Sequence, residues 1–266
     1  MSLNFELSLV TGASSGIGAA FAVSLAKRGH HLVLVARRAA VLRELGERLR
    51  SEFGVSVEIL PADLADRAGI AAVEARLARG DVDLLINNAG MGSLAGFLDV
   101  EPGAHEAMIA VNVTALTRLT YAAARAMKAA GRGTIVNVAS GIAFNILPTA
   151  AVYAATKGFV SQFTQALAEE MAGSGVKFQL LVPGLTRTNL GGAEENGLFD
   201  LFPSEMVQAP EAVAEAGLAG LELGEVVCIP RLENYSQWEA ARDAIRAVGI
   251  DPPGNAVASR YRVELN

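Results

Sequence analysis

The sequence has one cysteine, Cys228, and three histidines, His30, His31 and His105. A lone cysteine excludes an internal disulfide framework and suits a reducing, cytoplasmic setting. So few histidines leave little from which to build a metal cluster or a Ser-His-Asp triad, so metal-free chemistry is expected. Positive charge is also short. The chain carries 22 Lys+Arg against 28 Asp+Glu, a net charge of −6, which lacks the basic footprint of a nucleic-acid binder. Charged residues make up only 19% and hydrophobic ones 52%, a balance that excludes disorder. The start, Met1 to Glu6, has no basic stretch and meets an acid early, so it does not read as a signal peptide. The longest uncharged stretch, between Arg132 and Lys157, includes Thr134, Asn137, Ser140, Asn145, Pro148 and Thr149, too polar for a membrane span.

What is present is an alternation of short β-rich runs with longer helical ones. Apolar runs at Phe5–Val10, His31–Ala36, Val55–Leu60, Val82–Asn87, Thr134–Ala139, Val176–Val182 and Glu225–Ile229 read as strands. Between them lie helical patterns, including Ile17–Arg28, Arg38–Phe53, a long Ala-rich run at His105–Ala130, and Ala151–Met171. Repeated βα units with continuously apolar strands predict an α/β fold: a doubly wound parallel sheet of about seven strands with helices on both faces. No linker divides residues 1–248, which read as a single domain. The irregular segment at about 188–206 reads as a substrate lid, and 249–266 as a C-terminal tail.

Three constellations carry chemistry. The first strand runs into Thr11-Gly12-Ala13-Ser14-Ser15-Gly16-Ile17-Gly18 and then a helix. Glycines there let the backbone turn and approach a pyrophosphate, and the helix N-terminus offers N–H groups to the anion. At the end of the second strand, where an acid would accept from a ribose 2′-hydroxyl, stand Arg37 and Arg38. Two guanidiniums suit a 2′-phosphate, which favours NADP(H) over NAD(H); a solvated arginine pair at a helix start is the plain alternative. Third, Tyr153 and Lys157 are four apart on a predicted helix and share a face, with Ser140 at the end of the preceding strand. Reducing a ketone needs a hydride on carbon and a proton on oxygen. Tyr153 can give that proton, a neighbouring ammonium together with an oxidised nicotinamide would lower its pKa, and the Ser140 hydroxyl can hold the substrate oxygen. With four Tyr and four Lys in the chain, a Tyr-x-x-x-Lys arises by chance only about 0.06 times.

These motifs make the chain similar to the classical short-chain dehydrogenase/reductase family, from roughly Leu7 to Ile229. The resemblance rests on Thr11 to Gly18, Asp63, Asn87-Asn88-Ala89-Gly90, Asn112, Ser140, Tyr153, Lys157 and Pro183-Gly184. It implies a Rossmann-type fold and NADP(H)-dependent oxidoreduction of a ketone, aldehyde or secondary alcohol. It further implies catalytic roles for Asn112, Ser140, Tyr153 and Lys157, with Asn112 holding a water that links Lys157 to solvent. Cofactor contacts are implied for Gly12, Ser14, Ser15, Gly16, Ile17, Gly18, Arg37 and Arg38, and for Asp63 and Leu64 at the adenine. They are also implied for Asn88, Ala89 and Gly90, for Tyr153 and Lys157, and for Pro183, Gly184, Thr186 and Thr188. Many relatives end in a Gly-rich segment that helps build a tetramer. Here Gly224 to Pro230 is followed by a helix around Gln237–Val248, so a homo-oligomer is expected with dimer and tetramer both open.

The residues after the strand ends include Phe97, Ile142, Phe144, Ile146, Leu147, Leu198, Phe199 and Phe202, with Glu194, Glu195 and Asp200 in the lid. They point to an apolar carbonyl or alcohol of small to medium size, with no nucleic-acid or membrane partner. Two other readings stand beside this one: a non-catalytic nucleotide-binding sensor on the same fold, and a 3-oxoacyl carrier-protein reductase.

Overall fold

The computed structural model describes residues 6–190, 197–249 and 259–261. Seven strands form one sheet in the order β3-β2-β1-β4-β5-β6-β7, every neighbouring pair parallel. They are β1 (Leu7–Thr11), β2 (His31–Ala36), β3 (Val57–Pro61), β4 (Leu84–Asn87), β5 (Gly133–Val138), β6 (Val176–Leu181) and β7 (Val227–Cys228). The helices of this unit are α1 (Gly16–Lys27), α2 (Ala39–Phe53), α3 (Arg67–Leu77), α4 (Pro102–Ile109), α5 (Leu116–Ala130), α6 (Ala151–Glu170) and α7 (Pro210–Leu223). Two compact units result, residues 1–230 and 231–266. The first holds the whole sheet. The second contains α8 (Ser236–Gly249), opened by Asn234, whose Oδ1 accepts from the Ser236 amide at 3.1 Å, and a short turn at Ser259–Tyr261. The rest of the expected tail lies outside the described residues.

The strands read as unbroken apolar runs because both faces are covered. Val10, Leu34, Ile86 and Leu181 pack with Phe21, Leu25, Leu42, Val213 and Leu218 of α1, α2 and α7. The alternate residues Leu9, Val33, Leu85 and Phe178 pack with Ile70, Val73, Leu119 and Met127 of α3 and α5. A period of two thus feeds two cores from one sheet. β1 lies between β2 and β4, so the chain reverses its direction of winding there, and a crevice opens beyond the carboxyl ends of the strands.

Beneath that crevice the core contains a cluster of buried polar side chains joined by hydrogen bonds. Asn87 Nδ2 donates to Asn137 Oδ1 at 2.9 Å and to Thr120 Oγ1 at 3.0 Å, and Asn137 Nδ2 donates to Thr164 Oγ1 at 3.0 Å. These bonds tie β4 and β5 to α5 and α6, the elements that carry the site. Cys228 is buried on β7. Burial, and then the Glu225 charge, push its thiol up to about 12, so it serves as a packing group.

Two elements depart from the expected pattern. The run at His105–Ala130 is not one α-helix: α4 and α5 are joined by a π-helical stretch, Ala110–Ala115. The widened turn carries Asn112, whose side chain is drawn to Met91 and Thr156, as described below. The continuous helical run Pro102–Ala130 is long and apolar enough to cross a membrane by length and composition, but its residues Met108, Leu116, Leu119 and Met127 are buried in the core. The seventh strand is shorter than Glu225–Ile229 because the Glu225 amide turns back to the Gly220 carbonyl at 2.9 Å to close α7.

Phe21 is fully buried between α1 and α7, and space beside it is tight enough that a Cβ on Gly217 would meet its ring at 3.0 Å. Phe21→Ala is expected to destabilise the fold by about 3–5 kcal/mol through the cavity it leaves, read as a lowered urea midpoint. An unchanged midpoint would contradict this packing.

Candidate active site

The turn after β1 is shaped by glycine. Gly12 has φ +68° and Gly16 φ +55°, both left-handed. A Cβ on Gly12 would lie 2.7 Å from Asn88 Nδ2, and one on Gly16 would lie 2.8 Å from the Thr188 methyl. Thr11 stitches this turn to β4: its hydroxyl accepts from the Asn88 and Ala89 amides, each at 3.0 Å, and donates to the Ile86 carbonyl at 3.2 Å. Asn88 Nδ2 returns a bond to the Thr11 carbonyl at 3.0 Å. The result is a backbone-lined cradle that side chains would fill, facing the N-terminus of α1. That geometry fits the pyrophosphate of a dinucleotide.

Arg38 lies against the same turn. Its guanidinium donates to Ser14 Oγ at 3.0 Å and to Ser15 Oγ at 2.9 Å. Arg37 is exposed beside it at the end of β2. At the end of β3, Asp63 is exposed with Oδ1 accepting from the Ala65 amide at 3.0 Å, while Leu64 is buried.

Ser140 follows β5, and Tyr153 and Lys157 lie on the first turns of α6. The Ser140 hydroxyl lies beside the Tyr153 phenol and favours its ionised form. Lys157, 5% exposed, donates from Nζ to the Val138 carbonyl at 2.9 Å and stands 6.0 Å from the Tyr153 ring centre. Burial depresses its pKa from 10.5 to about 8, so it remains mostly protonated at neutral pH. Asn112, fully buried, accepts from the Met91 amide and donates to the Met91 carbonyl, both at 2.8 Å.

The sequence argument has Lys157 and an oxidised nicotinamide together lowering the Tyr153 pKa. Among the chain's own groups, before a nucleotide joins them, burial raises the phenol above 10, and the Ser140 hydroxyl only partly opposes it. The cause is the low-polarity surroundings, which disfavour the phenolate and the ammonium alike.

The segment after β6 bridges these parts. The Pro183 carbonyl accepts from the Gly141 amide at 2.8 Å, next to Ser140. Gln208, which the motif search missed, pins the segment with three bonds: its Oε1 takes the Gly184 amide at 3.2 Å, its amide donates to Leu185 at 2.8 Å, and its carbonyl accepts from Arg187 at 2.9 Å. Thr186 is buried with its hydroxyl on the Gly184 carbonyl. Phe199, expected to face substrate, is instead buried with the Arg187 guanidinium 5.3 Å above its ring. Glu194 and Glu195 lie outside the described residues. His105 was not singled out for this site, yet it lines the cleft beside Tyr153, stacked on Phe97 at 5.1 Å. No sequence pattern marks His105 or Gln208, because each meets its partners only in the folded chain. Among the described residues no group of three His, Cys, Asp or Glu side chains could hold a metal.

The family model for short chain dehydrogenases matches residues 6–197. The chain belongs to the short-chain dehydrogenase family. As such it is an oxidoreductase. The dehydrogenase is 40% identical to a short-chain dehydrogenase from Sphingobium yanoikuyae solved in complex with NADPH, with a TM-score of 0.90 over 97% of this chain and 100% of that one. It is 34% identical, with a TM-score of 0.87 over 97% and 99%, to the bulky-bulky ketone specific alcohol dehydrogenase from Comamonas testosteroni. Among curated proteins it is 34% identical, over 86% of this chain and 74% of the relative, to a very-long-chain 3-oxoacyl-CoA reductase-like protein from Arabidopsis thaliana.

The buried ammonium makes the dehydrogenase's stability depend on pH in a defined direction. The unfolded chain holds the Lys157 proton up to about 10.5 while the folded chain releases it near 8, so folding gains as pH rises through that window. Relative to Lys157→Met, the wild type should gain up to about 3 kcal/mol between these limits in urea unfolding. A constant difference across that range would refute the buried charge.

Proposed function

We propose that the chain is an NADP(H)-dependent oxidoreductase acting on an apolar ketone or aldehyde and the corresponding secondary or primary alcohol. The observation that carries this reading is the meeting of Ser140 and Tyr153 beside the buried Lys157 ammonium, in the crevice next to the glycine cradle. When bound, the nicotinamide supplies or takes up the hydride. In reduction, the Tyr153 hydroxyl gives its proton to the carbonyl oxygen, and the Ser140 hydroxyl holds that oxygen in place. The Lys157 charge stabilises the phenolate left behind, and the Asn112 side chain fixes the loop through Met91. Gly12 to Gly18 hold the pyrophosphate, Asp63 and Leu64 the adenine, and Asn88, Ala89 and Gly90 the ribose side. Pro183, Gly184, Thr186 and Thr188 complete the wall opposite. Arg38, already turned onto Ser14 and Ser15, and Arg37 beside it supply the positive charge that selects a 2′-phosphate. The NADPH held by the Sphingobium protein supports the same preference.

The substrate walls support an apolar partner. Phe97, Phe144, Ile146 and Leu147 are exposed on the segments after β4 and β5, and Leu201, Phe202 and Met206 on the lid. Such apolar exposure around a cleft marks a binding surface, and the ketone preference printed for the Comamonas protein agrees with it. A 3-oxoacyl thioester is the second reading, favoured by the Arabidopsis relative. The net charge of −6 argues against an acidic carrier protein as the form in which it arrives. The single, buried Cys228 is consistent with a cytoplasmic setting, and exposed Ile109, Tyr121 and Phe159 on and between α4 and α6 with a homo-oligomer.

Tyr153→Phe is expected to lower turnover of an aryl ketone by about 10²-fold or more while NADPH affinity stays within a few-fold; near-normal turnover contradicts the assignment. Arg37→Asp is expected to weaken NADPH more than NADH in calorimetry, and an unchanged preference rejects the 2′-phosphate site.

A further inference from the structure

Between Tyr153 and Lys157, on the same turns of α6, lies Thr156, which is 3% exposed. Its hydroxyl donates to the Tyr153 carbonyl at 2.8 Å and accepts from Asn112 Nδ2 at 3.0 Å. The remaining Asn112 Nδ2 hydrogen goes to the Met91 carbonyl, and Asn112 Oδ1 takes the Met91 amide. One hydroxyl therefore joins the proton-donating helix, the π-helical stretch and the loop after β4. We infer that Thr156 is a positioning residue that locks Asn112 and the Gly90–Gly92 loop onto the helix carrying Tyr153 and Lys157, an inference that rests on the reading of Tyr153 above.

A threonine bonded to the carbonyl three residues back is common in helices and by itself means little. The bond from Asn112 is what distinguishes this one. Asn112 has no access to water, so without the Thr156 oxygen one amide hydrogen goes unpaired or the side chain swings off Met91. The loop it releases is close-packed on the reacting groups. A Cβ at Gly90 would lie 3.4 Å from Asn112 Oδ1 and 3.5 Å from Lys157 Nζ, and one at Gly92 would lie 3.5 Å from the Tyr153 ring and 3.2 Å from Leu190. Movement of that loop changes what surrounds both the phenol and the ammonium, and small misalignments there are costly to turnover. The glycine turn and Arg38 make none of these bonds, so the main hold on the nucleotide stays in place and only the Gly90 contact on the ribose side is loosened.

The test uses the full chain with Thr156→Val, which keeps the volume and removes the hydroxyl, and Thr156→Ser, which restores it. Thr156→Ala serves if the valine variant does not fold. Three readouts are taken: amide hydrogen exchange at Met91, NADPH affinity by calorimetry, and kcat and KM on an aryl methyl ketone. The lock predicts that Thr156→Val speeds Met91 exchange about tenfold or more and lowers kcat about tenfold. NADPH affinity stays within about threefold, and Thr156→Ser recovers both losses. Unaltered Met91 exchange in the hydroxyl-free variant overturns the lock whatever the turnover, as does a loss that serine does not recover. Normal turnover in Tyr153→Phe would instead sink the reading of Tyr153, and the exchange result would still decide the role of Thr156.

Discussion

A lysine ammonium with almost no access to water is the constraint on which the site depends. Lys157 stays mostly charged at neutral pH despite a pKa pushed to about 8, and one carbonyl, Val138, accepts from it directly. A buried cation of this kind is retained at a cost to stability, and such costs concentrate where chemistry needs the charge. Within reach of that ammonium stands a phenol that burial makes harder to ionise. The two groups are thus poised rather than relaxed: each is disfavoured in its charged form, and each becomes easier to charge when the other is.

The fold explains why these groups meet. Val138 ends β5, so the carbonyl that receives Lys157 is fixed by the centre of the sheet, and Ser140 follows two residues later. The opposite wall, Pro183 to Thr188, hangs from β6 and is tied both to Gly141 and to Gln208. Tight glycine geometry at Gly12 and Gly16 keeps the strand-to-helix turn open beside them. Apolar burial on both faces makes the sheet rigid, and the polar groups Asn87, Asn137, Thr120 and Thr164 beneath the crevice give α5 and α6 a single registration on it.

Much of this was legible in the sequence because it is local or periodic. Seven apolar runs alternating with helical ones predict the parallel sheet, and the glycine spacing after β1 predicts the turn. The Tyr153–Lys157 spacing places both on one helix face. What was not legible depends on contacts between distant segments. The π-helical turn at Ala110–Ala115 follows from Asn112 reaching Met91 and Thr156, and no propensity encodes that. Gln208 lies just beyond the segment expected as a lid, with no motif around it to mark it. Phe199 looks like a substrate wall in the sequence, but its ring packs inward under Arg187. The raised Tyr153 pKa of the chain alone was not legible, because neighbouring charge can be read from spacing, whereas desolvation cannot.

The most direct test of the account is an ultraviolet difference titration of phenolate, with the Tyr153→Phe protein as the blank, in the presence and absence of oxidised NADP. The account predicts that Tyr153 ionises above the ordinary phenol value of 10 in the protein alone and below it once the positively charged nicotinamide joins Lys157. A phenol that stays above that value in the complex would contradict the claim that the buried lysine and the nucleotide act on it together.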